Sequence, residues 1–343
     1  MSLLNMSGLS KKMALAFYFP TEMVLVDDNP LLLRQLKARL GEDAAFKFFD
    51  NPLKASEFFL KEYQHKPTSS RCFNHQPGLN PNDHLVQMNV NSIFKEIYNP
   101  ERFNQIAILI VDYAMPRMNG LQLAEEVLNK FHHMKIIMLT GEADTDIALS
   151  AFTDGKIHGF YRKDDPDLAN KLKKAIKDLL KAYFYEESYA VVKVIIEASI
   201  TKTHPFTDPV FVDFIEKMIK ENNIEEWYLA ELQGSYCMID NAGKVSLFIV
   251  RTKHEMEVIA DYAERSGVSK DTLKALQDKT KLAYFLIEKG VNQKFDWERS
   301  IHPAYILHGD KDIYYYAWVK DISPYNIHPE KILTYKKYLS SYK

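Results

Sequence analysis

The sequence predicts a doubly wound α/β domain with a five-stranded parallel sheet, followed by an α+β domain with an antiparallel sheet. In the first half, short apolar runs alternate with helical patterns, and parallel neighbours need such crossover helices. In the second half, apolar runs follow one another through short turn sequences, as in antiparallel sheets. A length of 343 residues favours two domains.

Each strand of the first half is a buried, β-branched or aromatic run, and each is followed by a helical pattern. The predicted strands are Met23–Val26, Ala45–Phe49, Ile108–Val111, Lys135–Leu139 and Gly159–Tyr161. The predicted helices are Pro30–Leu40, Pro52–Tyr63, Leu121–Phe131, Ala148–Phe152 and a long one from Leu168 to about Tyr185. Proline near the helix starts and apolar residues at helical spacing support these assignments.

The composition excludes several classes of protein. Lysine and arginine number 44 against 46 aspartate and glutamate, so the chain lacks the positive charge of a non-specific nucleic-acid binder. Two cysteines, Cys72 and Cys237, form no disulfide framework and suit a reducing cytoplasm. No apolar stretch is long enough to predict a membrane span.

Polar residues follow the predicted parallel strands where those strands end. They are Asp27, Asp28, Asp112, Thr140 and Lys163. Open α/β sheets bind ligands at this edge, and carboxylates placed together there favour a hard cation such as Mg²⁺. The cation would accept charge from a phosphoryl group on Asp112, while Lys163 and Thr140 would contact that group.

This pattern resembles the receiver domain of response regulators, which has a flavodoxin-like fold. The matching segments are Val24–Asp28, Ile110–Asp112, Met115–Pro116 with Gly120, Leu139–Thr140 and Lys163. The resemblance covers about residues 22–185 and is interrupted by an insertion before the third strand. It implies a cytoplasmic, phosphoaccepting protein of two-component signal transduction rather than an enzyme.

The resemblance also implies a magnesium site. Asp28 and Asp112 would ligate Mg²⁺ together with the carbonyl of Ala114, and Asp27 would hold the waters of the metal. Ala114 stands where the family often has a polar residue, so dephosphorylation is expected to depend more on Glu142.

The remaining roles concern phosphorylation and switching. By resemblance, Asp112 accepts phosphoryl from a histidine kinase or phosphotransfer protein, Lys163 pairs with the phosphoryl oxygens, and Thr140 and Phe160 form the switch. The family usually has proline after the lysine, and Asp164 in its place removes the usual cis bond there. Phosphorylation is expected to promote a homodimer through residues of about 145–180.

The insertion spans residues 65–105. Its first part is rich in turn formers and predicts a floppy loop, and Val90–Phe103 predicts a short packed helix. Zinc binding by Cys72, His75, His65 and His84 is an alternative, although Cys-x₂-His alone is a weak signal.

The predicted organisation is an N-terminal extension (1–21), a receiver domain (22–185), a connector (186–209) and an α+β output domain (210–343). Predicted output strands lie at Glu226–Leu232, Ser235–Ile239, Lys244–Val250, Leu282–Glu288, Ala304–His308 and Ile313–Val319. Predicted output helices lie at Phe211–Glu221, Glu255–Arg265, Lys270–Lys279 and Pro329–Tyr342. The turn Asp240–Gly243 predicts a hairpin.

The sequence is compatible with three hypotheses for the function of the output domain. Residues 201–343 carry 20 basic and 21 acidic groups, which favours a protein-interaction or dimerisation module. A nucleic-acid- or nucleotide-binding output that regulates transcription is the alternative, with Tyr314–Tyr316 and Trp318 as a stacking platform, although core packing explains these aromatics better. An unrecognised enzyme is a third hypothesis. The strand pattern resembles the tail of the Legionella quorum-sensing response regulators.

Overall fold

A computed structural model describes residues 13–40, 44–77, 84–141, 143–199, 203–285 and 296–341. Its strands are β1 (Phe17–Tyr18), β2 (Glu22–Val26), β3 (Phe46–Phe49), β4 (Phe73–Pro77), β5 (His84–Met88), β6 (Ile106–Asp112), β7 (Lys135–Thr140), β8 (Gly159–Arg162), β9 (Ile224–Leu229), β10 (Tyr236–Asp240), β11 (Val245–Thr252), β12 (Lys281–Ala283), β13 (Ile301–Pro303), β14 (Tyr305–His308) and β15 (Ile313–Val319). Its helices are α1 (Pro30–Leu40), α2 (Pro52–Glu57), α3 (Thr68–Arg71), α4 (Asn91–Lys95), α5 (Gly120–Lys130), α6 (Thr145–Thr153), α7 (Leu168–Ala198), α8 (Pro209–Glu221), α9 (Lys253–Arg265), α10 (Lys270–Gln277), α11 (Trp297–Ser300) and α12 (Tyr335–Ser341). Within these ranges, every helix is too short or too polar to span a bilayer.

The parallel sheet of the first half is confirmed. Its five strands lie in the order β3-β2-β6-β7-β8, and every pair is parallel. The central strands β2, β6 and β7 are buried along their whole length, because helices cover both faces of the sheet. Residues of α2, α5 and α6 form the core on one face, and residues of α1 and α7 contribute to the core on the other.

The insertion is more ordered than the predicted floppy loop. Its first part forms α3 and the hairpin β4–β5, and its second part forms α4 and short 3₁₀ turns at Glu96–Tyr98 and Pro100–Asn104. Polar contacts hold the first part in place: Arg71 pairs with Glu96 at 3.2 Å, and Ser69 Oγ donates to Glu187 of α7 at 2.7 Å. A turn-rich sequence therefore folds here because other segments supply its partners.

Five strands of the second half and β1 form a six-stranded antiparallel sheet in the order β1-β9-β10-β11-β15-β14. The predicted hairpin between β10 and β11 is present, and Gly243 adopts a φ of 82° in its turn. The last helix begins at Tyr335 rather than Pro329, because Pro329–Lys331 forms a separate 3₁₀ turn. Of the predicted strand Leu282–Glu288, residues 286–288 lie outside the described part of the chain.

The two sheets share one hydrophobic core. A single helix, α7, runs through the predicted receiver boundary at residue 185, and its buried side chains join residues of both halves. Phe17 and Tyr18, within the predicted extension 1–21, pair with β9 of the second sheet. Strand pairing and a shared core do not define domains by themselves, so the domain boundaries stay a prediction.

Candidate functional site at the carboxyl edge of the parallel sheet

The predicted site residues meet at one edge of the parallel sheet. Asp112 ends β6, Thr140 ends β7, Asp27 and Asp28 follow β2, and Lys163 follows β8. Parallel pairing brings these strand ends together, so residues far apart in sequence become neighbours. Asp27, Asp112 and Thr140 are buried, whereas Asp28 is exposed.

Lys163 links two of the carboxylates. Its Nζ lies 2.6 Å from Asp112 Oδ2 and 2.7 Å from Asp27 Oδ2. Burial raises the pKa of Asp112 and the charge of Asp27 adds to this rise, while the hydrogen bond from Lys163 opposes it. Burial also opposes the charge of Lys163, but its bonds to the two carboxylates raise its pKa overall. The site therefore holds a basic side chain against an acidic pair.

The carboxylates are close enough to share a cation. One oxygen each of Asp27, Asp28 and Asp112 lies within 4.8 Å of the others, the one such cluster of possible metal ligands among the described residues. Hard divalent cations prefer oxygen ligands of this type. The donor set therefore fits Mg²⁺ better than a softer metal.

The hydroxyl of Thr140 is available for a ligand. Thr140 is fully buried, and its Oγ1 makes no hydrogen bond with the described part of the chain. Buried polar groups normally find a partner, and those that lack one tend to mark a functional site. Phe160, the predicted switch aromatic, lies on β8 next to β7 and is half-buried against Phe152, with ring centroids 6.1 Å apart.

The loop after Asp112 depends on a glycine. Gly120 donates its backbone N–H to the Tyr113 carbonyl at 2.9 Å, and a Cβ on Gly120 would come within 2.2 Å of the Asp112 carbonyl oxygen. Only glycine allows this approach of α5 to the end of β6. The sequence motif included Gly120, but this steric reason is visible only in the structure.

Backbone donors also orient the carboxylates. The Ala114 N–H donates to Asp112 Oδ1 at 3.3 Å, and the Asn29 N–H donates to Asp27 Oδ1 at 2.8 Å. The sequence patterns described above do not include Asn29. The Asx-type pattern Asp-x-Asn-Pro is the local signal that indicates this contact.

The residue after Lys163 has its own partner. Asp164 accepts two hydrogen bonds from Arg162, at 2.9 and 2.6 Å, on the exposed side of the loop. The peptide bonds of the described residues are all trans, as expected where Asp164 replaces proline. Glu142, predicted to influence dephosphorylation, lies outside the described residues.

Two other predicted sites gain no support from the structure. Cys72 is buried and its Sγ donates to the Thr68 carbonyl, and His65 bonds to Gln105, so both candidate zinc ligands have protein partners. The side chains of His75 and His84 lie outside the described part. Tyr314 and Tyr315 are buried on the inner strand β15, which supports core packing over a stacking platform.

Comparison with known proteins finds a family match within the first half of the chain. Residues 86–177 match the model of the response regulator receiver domain family. The chain contains a receiver domain. The match begins after the first part of the insertion, so it includes Asp112, Thr140 and Lys163, and the structure adds Asp27 and Asp28 from β2.

The structural likeness extends over the whole chain. The response regulator LqsR of Legionella pneumophila superposes with a TM-score of 0.77 and 28% identity, covering 97% of this chain and 98% of that one. A receiver domain from Clostridium thermocellum (20% identity, 47% of this chain and 94% of that one) and an adenylate cyclase from Rhodopirellula baltica (19%, 52% and 99%) align with TM-scores of only 0.32 and 0.35. A search of curated proteins gives no match. Both halves of the predicted fold are thus confirmed.

Proposed function

We propose that this protein is a cytoplasmic two-component response regulator that accepts a phosphoryl group on Asp112 from a histidine kinase or phosphotransfer protein. The observation that carries the proposal is the placement of the buried Asp112 carboxylate 2.6 Å from Lys163 and beside Asp27 and Asp28. Lys163 holds Asp112 in position for attack and pairs with the charge that a transferred phosphoryl group brings.

Three residues would hold Mg²⁺: Asp28 and Asp112 through their carboxylates and Ala114 through its carbonyl, while Asp27 would hold waters of the metal. The clustered carboxylate oxygens of Asp27, Asp28 and Asp112 support this assignment. When bound, the cation neutralises the negative charge that gathers on the phosphoryl oxygens. Asp27 Oδ2 also lies 2.7 Å from Lys163 Nζ, so Asp27 helps to align the lysine.

Phosphorylation would switch the Thr140 and Phe160 region between two states. A phosphoryl group on Asp112 offers acceptor oxygens to the Thr140 hydroxyl, which is buried and lacks a hydrogen-bond partner among the described residues. Thr140 and Phe160 lie on neighbouring strands, and Phe160 packs on Phe152 of α6. A shift of Thr140 would therefore reach α6.

The surface of residues 145–180 would then bind a second copy of the chain. Ile147 and Leu149 on α6 are 42% and 51% exposed, although apolar side chains of this size favour burial. The second sheet acts as an atypical output module in this proposal. Its buried aromatic strand gives no support to a nucleic-acid-binding output.

The test uses beryllofluoride, which occupies the phosphoryl position on an acceptor carboxylate. With Mg²⁺, we expect the wild-type protein to change from monomer to dimer in analytical ultracentrifugation and Asp112→Asn to stay unchanged. Asp50→Asn is the matched control, because Asp50 also follows a strand of this sheet but is exposed. A response that survives in Asp112→Asn, or none in the wild type, overturns the proposal.

A further inference from the structure

A cavity of about 370 Å³ lies at the opposite edge of the parallel sheet from Asp112. It is formed where β6 begins, where the chain enters β7, and where α7 passes the insertion. Its walls include the aromatic rings of Tyr63, Phe131 and Tyr183 and the carboxylate of Glu187. Cavities of roughly 300–1,000 Å³ with a few polar groups are typical of small-molecule sites.

Glu187 is the unusual group in this cavity. It is 1% exposed, and its Oε2 accepts hydrogen bonds from the backbone N–H and the hydroxyl of Ser69. Its Oε1 is buried and accepts no hydrogen bond from any residue that the structure describes; His133 Nε2 lies 4.0 Å away, too far to donate. A buried carboxylate oxygen without a donor costs free energy that a bound donor would recover.

The cationic side chains at the cavity do not fill this role. The ammonium of Lys130 donates to the carbonyls of Phe59 and Leu60, and Lys66 is exposed at the rim. The imidazole of His133 is about half exposed and contacts Glu186 through Nδ1 at 3.2 Å, which leaves its Nε2 4.0 Å from Glu187 Oε1. The cavity thus presents an acidic acceptor below aromatic walls.

We propose that this cavity binds a small organic cation with an amine or amidine group. The cationic N–H would donate to Glu187 Oε1 and neutralise the buried charge, which gives a charge-assisted hydrogen bond. The ring of Tyr63 would contact the cationic group, since aromatic faces attract cations, whereas the ring of Phe131 already carries the ammonium of Lys130, 5.1 Å from its centroid. The site is distinct from Asp112 and does not depend on phosphorylation.

Three ligands of similar shape and different charge test the proposal: benzamidine (cation), benzamide (neutral) and benzoate (anion). We expect isothermal titration calorimetry on the full-length protein to show saturable binding of benzamidine and at least tenfold weaker binding of the other two. Protein-observed NMR should place the perturbed signals at Tyr63, Phe131 and His133.

Two variants test whether the carboxylate of Glu187 is the group that binds benzamidine. Glu187→Gln should weaken binding at least tenfold, and Glu197→Gln, an exposed carboxylate on the same helix, should leave it within twofold. If Glu187→Gln does not fold, the comparison of the three ligands on the wild-type protein decides. Equal binding of benzamide or benzoate, absence of saturable benzamidine binding, or unchanged binding in a folded Glu187→Gln overturns the proposal.

Discussion

Two buried carboxylates, Asp112 and Glu226, each face a basic side chain, yet their surroundings differ. Glu226 accepts hydrogen bonds from Arg102 at 2.9 Å and from Tyr228 at 2.6 Å, and both members of the ion pair are almost fully buried. Asp112 shares Lys163 with Asp27, and the lysine side chain is 24% exposed. Burial raises the pKa of both carboxyl groups.

The difference separates a structural ion pair from a reactive site. Arg102 lies in the insertion and also donates to the Leu333 carbonyl, so it joins the insertion to the second sheet and to the C-terminal segment. At Asp112, by contrast, three carboxylates cluster and two of them share one lysine. An excess of negative charge is suited to binding a cation, whereas balanced charges are suited to holding segments together.

The largest expected loss of stability comes from breaking the ion pair between Arg102 and Glu226. Arg102→Met should lower the free energy of unfolding by about 3–5 kcal/mol, because Glu226 would keep its buried charge without a counter-ion. Urea denaturation measures this loss. Adding Glu226→Gln should recover part of it, and Lys193→Met in an exposed pair should cost little. A loss below about 1 kcal/mol for Arg102→Met would contradict the assignment of this pair as structural.

The next largest expected loss of stability tests how the backbone near Gly120 positions Asp112. Gly120→Ala should destabilise the protein by about 2–4 kcal/mol, since the added Cβ cannot fit against the Asp112 carbonyl without moving the chain. It should also remove the beryllofluoride response. Gly159→Ala is the control, because a Cβ there meets only Tyr161 at an ordinary 3.8 Å. A stable, responsive Gly120→Ala protein would show that the loop adjusts freely.

The pH dependence distinguishes the two sheets. Burial, together with the charges of Glu226 and Asp240, raises the pKa of Glu225 to about 7. The folded state therefore holds this proton more tightly than the unfolded state, so stability falls as the pH rises from the ordinary value of 4.5 to about 7. In the first half, burial lowers the pKa of His158 to about 4, and this group contributes stability that rises with pH up to its ordinary value of 6.5.

Glu225→Gln isolates the first of these contributions. Between pH 4.5 and 7, we expect the free energy of unfolding to fall by about 1–2 kcal/mol less in the variant than in the wild type. This difference is smaller than the full pKa shift implies, because Glu225 is partly exposed to solvent. Urea midpoints at both pH values measure the difference. Glu264→Gln, at an exposed position on α9, should match the wild type; identical pH profiles for Glu225→Gln and wild type would refute the assignment.

The smallest expected change in stability is a gain rather than a loss. Asp112→Asn should raise the free energy of unfolding by about 1 kcal/mol, because it removes one of three clustered carboxylates while Lys163 keeps Asp27 as a partner. Thermal unfolding without divalent cations measures this gain. Lys163→Met should destabilise the same protein by leaving the carboxylates unpaired, and a stability loss in Asp112→Asn would place this carboxylate with Glu226 as a structural group.

Local patterns in the sequence were sufficient for the sheet and its site. Apolar runs ending in Asp27-Asp28, Asp112, Thr140 and Lys163 predicted both the parallel strands and the residues at their ends. The antiparallel strands of the second half were also predictable, because the turn Asp240–Gly243 and alternating apolar runs are local signals. The insertion was predicted less well, since Ser69 and Arg71 find their partners, Glu187 and Glu96, in other elements.

What the sequence determined by itself was the order of the strands along the chain and the chemistry at their ends, because strand periodicity and residue type are properties of neighbouring residues. Three features follow from the three-dimensional arrangement alone: Phe17 pairs with β9, Arg102 lies against Glu226, and Glu187 has an oxygen that accepts from no described residue. These features depend on long-range packing: residues more than a hundred positions apart must be brought together before burial can separate a satisfied polar group from an unsatisfied one.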